Sequence, residues 1–181
     1  MIDANVRSAI AAAAIFASFA KPSSLLLFTG AYAASQRTGT PSMLAYGMSK
    51  AAVHHLTLSL ADNNSELTKK GATVACLLPI TIDTPNNRHI MPKADFTEWT
   101  PTTTIAKHAM QWTREAMRRG DVTPNQAVAQ RVKSFDAATR DEFSLPRLHH
   151  GGFYSFTTSN GITTVQQIDE QITLSSSIVA Q

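Results

Sequence analysis

The sequence contains one cysteine, Cys76, among 181 residues, so no disulfide can form within the chain. This excludes a small secreted scaffold held by disulfides and suits a reducing compartment, for which we expect the cytoplasm. Charge is also scarce, because only 16% of the residues are charged. The net charge of +3 is not gathered into a basic run that alternates with aromatic residues. We therefore expect no nucleic-acid partner.

Glycine and long hydrophobic runs are scarce as well. None of the eight glycines forms a Gly-x-x-x-Gly-x-Gly run after a strand pattern, so the sequence lacks a glycine-rich phosphate-binding loop. The apolar stretch 8–20 is shorter than the roughly 20 residues that a membrane-spanning helix needs. It imitates the apolar part of a signal peptide, yet Asp3 interrupts the basic leading segment. We expect a buried helix of a domain and no membrane partner, with a signal peptide as the alternative.

What the chain does have is 43% hydrophobic residues, enough for one domain with a sizeable core. Some apolar residues recur at helical spacing, and other segments are continuous or alternating apolar runs typical of strands. The predicted elements are a helix at 2–20, a strand at 24–29, a helix at 43–66, a strand at 72–78, a helix that begins at 100–101 with a favoured cap residue and proline, a strand at 153–158 and a turn at 160–161.

This alternation is typical of an α/β fold, in which helices cover a parallel sheet. We expect a single domain over 1–165, with a surface insertion at 119–150 whose pattern allows a helix near 124–139, and a polar tail at 166–181. Cys76 lies in an apolar run and is expected to pack in the core.

Tyr46 and Lys50 begin the second predicted helix and lie one turn apart on one face. A lysine ammonium there favours the phenolate, so we expect the tyrosine pKa to fall below its usual value of about 10 and the phenol to exchange a proton near neutral pH. The same spacing also occurs by chance in many helices. The loops 30–45 and 79–100 both follow strands and leave one edge of the sheet, which predicts that Tyr46 and Thr84 meet in a ligand-binding crevice.

Two histidines, His54 and His55, follow Lys50 on the same predicted helix. Adjacent residues point to different faces of a helix, so this pair is not expected to hold a metal ion. We predict that both are packing or surface residues and that the chain has no metal site.

The segments around this tyrosine and lysine resemble the short-chain dehydrogenase/reductase family and, within it, the quinoid dihydropteridine reductases. The resemblance covers roughly 1–118 and 151–164, and it is carried by residues 39–41 with 46–54, by 78–88, by 91–96 with 99–101, and by 152–164. It implies the C-terminal half of a doubly wound, Rossmann-like parallel sheet. The family usually has a serine ahead of the tyrosine; Thr29-Gly30-Ala31 stands there instead, which favours the pteridine branch over a carbonyl reductase.

The resemblance implies that a hydride passes from NADH or NADPH to quinonoid dihydrobiopterin, which returns to tetrahydrobiopterin. The hydride needs a matching proton. By the resemblance, Tyr46 donates it with the help of Lys50, which also holds the ribose of the cofactor. Asn5 stands where the family has an asparagine that organises a water-linked proton path. A helix asparagine satisfied by nearby backbone is the alternative.

Binding residues and a partner are implied in the same way. The residues assigned to the cofactor are Tyr46, Lys50, Pro79, Ile82 and Thr84. The residues assigned to the pterin are Ala31, Arg88 and Trp99, with a lid-to-core anchor as the alternative for Trp99. The resemblance also implies a homodimer through helices 2–20 and 43–66, whose small-residue faces suit a close approach.

In the family, the glycine-rich loop lies in the half of the domain that precedes these segments, so the resemblance implies a chain truncated at its N-terminus. We expect such a half-sheet to have an open edge and an uncovered apolar face. By itself it should bind the cofactor weakly and turn over little substrate. Two alternatives stay open: another short-chain reductase that acts on a different carbonyl or imine, and a chain without catalysis that acts only as a dimer partner.

Overall fold

The computed structural model describes residues 1–35, 39–120, 148–149 and 151–168. The predicted insertion, with its helix near 124–139, lies almost wholly outside the described residues, and so does the chain beyond residue 168. Within the described residues the chain is an α/β fold, because a four-stranded, mostly parallel sheet carries helices on both of its faces.

The N-terminal helix begins as a π-helical segment, Ile2–Arg7, and continues without a break as helix α1, Ser8–Phe19. The predicted helix at 2–20 is therefore confirmed. Its burial is only partial, because Ala9 and Ala13 are the two residues of α1 that are buried.

The outer side of this helix is apolar and exposed, with Ile10, Ile15 and Phe19 in contact with solvent. By length and composition alone, Ile2–Phe19 could cross a membrane, which corrects the expectation that the apolar run is too short. Core helices of soluble proteins and signal sequences meet the same criterion. Length and composition are thus compatible with a membrane-spanning helix, a signal sequence and a core helix.

Strand β1, Leu25–Thr29, leads through the short helix α2, Tyr32–Ser35, to helix α3, Leu44–Leu60. The prediction of a helix over 43–66 was wrong at its end. The cause is local: the side chain of Asp62 accepts a hydrogen bond from the backbone N–H of Asn64 at 2.8 Å, a turn that competes with the helix. Ser65 then caps a separate short helix, α4, Glu66–Lys69.

Strand β2, Thr73–Pro79, is buried along its whole length and pairs in parallel with β1, with Cys76 opposite Phe28. The predicted strand at 72–78 and the buried position of Cys76 are both confirmed.

The segment predicted as a loop at 79–100 contains regular structure. It holds strand β3, Ile82–Asp83, helix α5, Pro85–Ile90, and a 3-10 turn, Phe96–Glu98; strand β4, Thr100–Pro101, then pairs with β3. The predicted helix exists, but the prediction that it begins at Thr100 and Pro101 was wrong by two residues, because the backbone of these residues pairs with β3. Helix α6 runs over Thr102–Gly120. The cap-and-proline signature applies instead at Thr84 and Pro85, where α5 begins.

Strand β5, Gly152–Ser159, pairs in parallel with β2 and confirms the strand predicted at 153–158. Asn160 and Gly161 follow with φ angles of 50° and 76°, the positive values of a tight two-residue hairpin. Strand β6, Ile162–Ile168, returns antiparallel, so the strand order is β1-β2-β5-β6. Strand β6 was not predicted from the sequence, and residues 166–168, predicted as part of the tail, belong to the sheet.

The sheet divides the interior into two cores. Helices α1 and α3 cover one face, where Val53 packs with Val74, Cys76 and Phe153. Helix α6 covers the other face, where the buried residues include Trp112, Ala116, Tyr154 and Phe156. Among the described residues β1 pairs with β2 alone, so its outer edge is open, as expected of half a sheet.

Candidate active site

The candidate site lies at the carboxyl edge of the parallel strands. Because β1 and β2 run in the same direction, their last residues, Thr29 and Pro79, lie on one edge of the sheet. The turn after β1 and the segment after β2 both leave from there, as the sequence predicted. Helix α3 packs against both β1 and β2 and carries Tyr46 and Lys50 in its first two turns.

Tyr46 and Lys50 lie side by side on α3. The Nζ atom of Lys50 lies 5.9 Å from the centroid of the Tyr46 ring, and it donates a hydrogen bond of 2.8 Å to the carbonyl oxygen of Thr29. The lysine therefore links the helix to the last residue of β1. Both side chains are half-buried, so each has one side toward the protein and one toward solvent.

The expectation that the tyrosine pKa is lowered was wrong. Burial raises the pKa of the Tyr46 phenol above its usual value, and burial lowers the pKa of the Lys50 ammonium, against a smaller opposing effect of Cys76. The ammonium is engaged by the Thr29 carbonyl, and desolvation of the phenolate outweighs its charge. Tyr46 is thus a neutral phenol that carries its proton at neutral pH.

Asn5, in the π-helical segment, faces the same helix. Its Nδ2 atom donates to the hydroxyl oxygen of Ser49 at 3.0 Å, and the Ser49 hydroxyl donates to the carbonyl oxygen of Tyr46 at 2.8 Å. The amide is therefore satisfied by a buried serine side chain next to Lys50 rather than by backbone alone. This contact ties the N-terminal helix to the first turn of α3.

The residues assigned to the cofactor at the end of β2 and beyond it form a hydrogen-bonded corner. Pro79 ends β2, and Ile82 lies in β3. The Thr84 hydroxyl oxygen accepts the backbone N–H of Asn87 at 3.2 Å, and the Asn87 side chain donates to the carbonyl oxygen of Ile82 at 2.8 Å. These two bonds hold the backbone of the segment in place at the site edge.

The residues assigned to the pterin differ in their surroundings. Trp99 is 6% exposed and packs against Phe96, with ring centroids 4.7 Å apart, which favours the alternative of a lid-to-core anchor. Arg88 is exposed, but its guanidinium forms two hydrogen bonds with Asp83, at 2.6 and 2.7 Å, and lies 4.6 Å from the Phe96 ring. Ala31 is buried at the turn after β1.

His54, predicted as a packing or surface residue, is buried and also binds the turn after β1. It is 4% exposed, and its Nε2 atom accepts the backbone N–H of Ala31 at 3.2 Å. Burial, and then the charge of Lys50, lower the pKa of its imidazole to about 4. Its spacing of four residues from Lys50 was the signal that could have found it. His55 is exposed.

The arrangement can donate a proton. A protonated phenol and a cation that favours its ionised form stand together at the carboxyl edge of the sheet, which suits general acid catalysis. Over the described part of the chain there is no group of three or more His, Cys, Asp or Glu side chains placed to hold a metal ion.

Comparisons with known proteins give relatives for the first two thirds of the chain. A family model described as enoyl-(acyl carrier protein) reductase matches residues 1–117. A dihydropteridine reductase from Dictyostelium discoideum is 42% identical over 119 residues, which are 66% of this chain and 50% of the relative. The chain therefore spans about half the length of this curated relative.

One solved structure, a short chain dehydrogenase from Burkholderia cenocepacia J2315 in complex with NADP, is 22% identical. The match covers 62% of this chain and 47% of that one, with a TM-score of 0.49.

Proposed function

Because the chain belongs to the short-chain dehydrogenase/reductase family, as the match over residues 1–117 shows, we propose that it supplies the proton-donating half of a reductase that converts quinonoid dihydrobiopterin to tetrahydrobiopterin with NADH or NADPH. The 42% identity to a dihydropteridine reductase supports the pterin as substrate. The observation that carries the proposal is the pairing of Tyr46 with Lys50 at the carboxyl edge of the sheet.

The donors of this chain fit the nicotinamide end of such a cofactor. A lysine ammonium has three N–H groups; Lys50 gives one to the Thr29 carbonyl, and the others suit the hydroxyl oxygens of a ribose. Two hydrogen bonds brace the segment around Thr84, which the resemblance assigns to the carboxamide of the cofactor. No described residue belongs to a glycine-rich loop that would hold the pyrophosphate, so we expect weak cofactor binding by this chain alone.

The reduced cofactor, when bound, supplies the hydride. Tyr46 holds the proton, because its raised pKa keeps the phenol protonated at neutral pH. Lys50, 5.9 Å from the ring centroid, favours the phenolate that donation leaves behind. Asn5 acts through Ser49 on the backbone of Tyr46 and so orients the first turn of α3.

A homodimer through helices α1 and α3 is part of the proposal, as is a place in the cytoplasm. Both helices expose large apolar side chains, with Phe19 at 78%, Met48 at 69% and Leu44 at 67%. Exposed apolar surface on this scale marks a contact with a partner or a membrane. Sedimentation velocity together with flotation on lipid vesicles distinguishes the two, because a membrane-bound chain floats and a soluble dimer does not.

The activity is tested by following the oxidation of NADH and NADPH, supplied in large excess to offset weak binding. Quinonoid dihydropterin should support oxidation, and a panel of ketones should not. Oxidation with ketones alone would establish the other short-chain reductase instead. Cofactor binding without oxidation of any kind would overturn catalysis by this chain, and the non-catalytic dimer partner would then stand as the alternative.

Tyr46→Phe gives the matching test of the mechanism. This change removes the proton donor and keeps the ring, so the rate should fall by about 10²- to 10⁴-fold. Tyr32→Phe is the control, since it removes a phenol in α2 that has no part in the proposed mechanism. An unchanged rate in the Tyr46 variant removes the phenol from the reaction.

A further inference from the structure

We propose that His54 is a positioning residue of this site, a neutral imidazole that joins helix α3 to the turn after β1 and thereby sets where Tyr46 and Lys50 stand. The role at the active site rests on the proposed function above. The joint, by which we mean the hydrogen bond from the Ala31 N–H to His54 Nε2, does not.

Three consecutive residues, the last of β1 and the first two of the turn, are held by hydrogen bonds from outside the turn. The carbonyl oxygen of Thr29 accepts from Lys50 Nζ at 2.8 Å, the N–H of Gly30 donates to the carbonyl oxygen of Leu77 at 2.8 Å, and the N–H of Ala31 donates to His54 Nε2 at 3.2 Å. Lys50 and His54 are one turn apart on the same face of α3. The helix therefore holds the turn on both sides of Gly30.

The imidazole also sets how closely the helix approaches. A Cβ atom added at Gly30 would lie 2.3 Å from His54 Nε2 and 2.7 Å from Leu78 Cδ2, so no larger residue fits there without movement. On its other side the imidazole meets the ring of Phe153 edge-on, with centroids 5.6 Å apart and an interplanar angle of 77°. The ring is thus a spacer between the sheet and the catalytic helix.

The bond to Ala31 requires one form of the imidazole. An Nε2 atom that accepts a hydrogen bond carries no proton of its own. The ring is therefore neutral and carries its proton on Nδ1. Its burial and the nearby cation of Lys50 both favour that neutral form. Protonation would replace the acceptor by a donor that faces another donor, and it would break the joint.

The joint is tested with two variants of the 181-residue chain, His54→Gln and His54→Leu. Glutamine can place its side-chain oxygen near the position of Nε2 and accept the Ala31 N–H, whereas leucine fills the space and accepts nothing. By NMR, the Ala31 amide should exchange with solvent about tenfold faster in the leucine variant than in the native chain, and the glutamine variant should restore most of the protection. Nitrogen shifts of the native imidazole should show the Nδ1–H form.

Val53→Ala is the matched control for a general loss of stability. Val53 is the buried neighbour of His54 on α3 and belongs to the core that includes Phe153, the ring that His54 contacts. Its side chain is apolar and cannot form a hydrogen bond with the turn. Equal acceleration of Ala31 exchange in the alanine variant and in His54→Leu would overturn the joint, and so would unchanged exchange in His54→Leu.

The positioning role has its own readout. In the reductase assay, His54→Leu should lower kcat by about tenfold or more, and His54→Gln should recover most of the rate. A kcat equal to that of the native chain in His54→Leu would overturn the positioning role. If the native chain turns over no substrate, the proposed function fails; the ring resonances of Tyr46 then decide, since they should move in His54→Leu but not in His54→Gln.

Discussion

Acidification should destabilise the folded chain through His54. The pKa of this imidazole is about 4 in the folded chain, against an ordinary value of 6.5. Below pH 6.5, His54 therefore binds a proton in the unfolded chain but stays neutral in the folded chain until the pH nears 4. The stabilisation is fully present above about pH 6.5 and is lost as the pH falls toward about 4.

The magnitude follows from the two pKa values. The two pKa values differ by about 2.5, and at roughly 1.4 kcal/mol per unit this corresponds to about 3–4 kcal/mol. Small domains are typically stable by about 5–15 kcal/mol, so this single residue removes a large share of the free energy of unfolding. Lys50, on the same face of the helix, is a charged group that lowers this pKa. Its positive charge opposes protonation of the imidazole and therefore adds to the free energy of unfolding that is lost at low pH.

The assay is urea unfolding of the native chain and of His54→Leu over a series of pH values. Other titrating groups contribute to both proteins, so the difference between the two free energies of unfolding isolates His54. Between about pH 7 and about pH 4, the native chain should lose about 3 kcal/mol more of its free energy of unfolding than His54→Leu loses. Parallel curves for the two proteins, or an NMR titration of His54 with a midpoint near its ordinary value, would refute the reasoning.

Two further predictions concern the core and the outer helices. Trp112 is fully buried against Tyr154, with ring centroids 4.4 Å apart, so Trp112→Ala should lower the free energy of unfolding by about 3–5 kcal/mol in urea titrations, and a loss below about 1 kcal/mol would contradict this packing. Phe19→Asp places a charge on the exposed apolar side of α1, so it should convert the proposed dimer to a monomer in sedimentation velocity, whereas Asp62→Asn, in the turn after α3, should leave the dimer intact.

Much of the fold could be predicted because it depends on patterns within short segments. The continuous apolar runs of β1 and β2 are readable along the chain, since both strands are covered by helices and need no alternation. The Asn160-Gly161 pair marks a turn because both residues tolerate positive φ. These features require no knowledge of what lies nearby in space.

The elements that were missed depend on partners distant in sequence. Strand β6 alternates between exposed and half-buried positions and gains its place by pairing with β5. Residues 100–101 carry a helix-start signature, yet they form β4 because β3 lies alongside. The short helix α5 has too few residues to show a period.

The candidate site shows the same division between what local sequence determines and what distant partners determine. The sequence alone placed Tyr46 and Lys50 together, because one turn of helix brings residues four apart onto one face whatever surrounds them. The ionisation of these groups depends on burial and on distant neighbours, so the tertiary structure alone decided it: the Tyr46 pKa is raised rather than lowered, and His54 is a buried, neutral acceptor. Spacing along a helix is local geometry, whereas desolvation is a property of the packed whole.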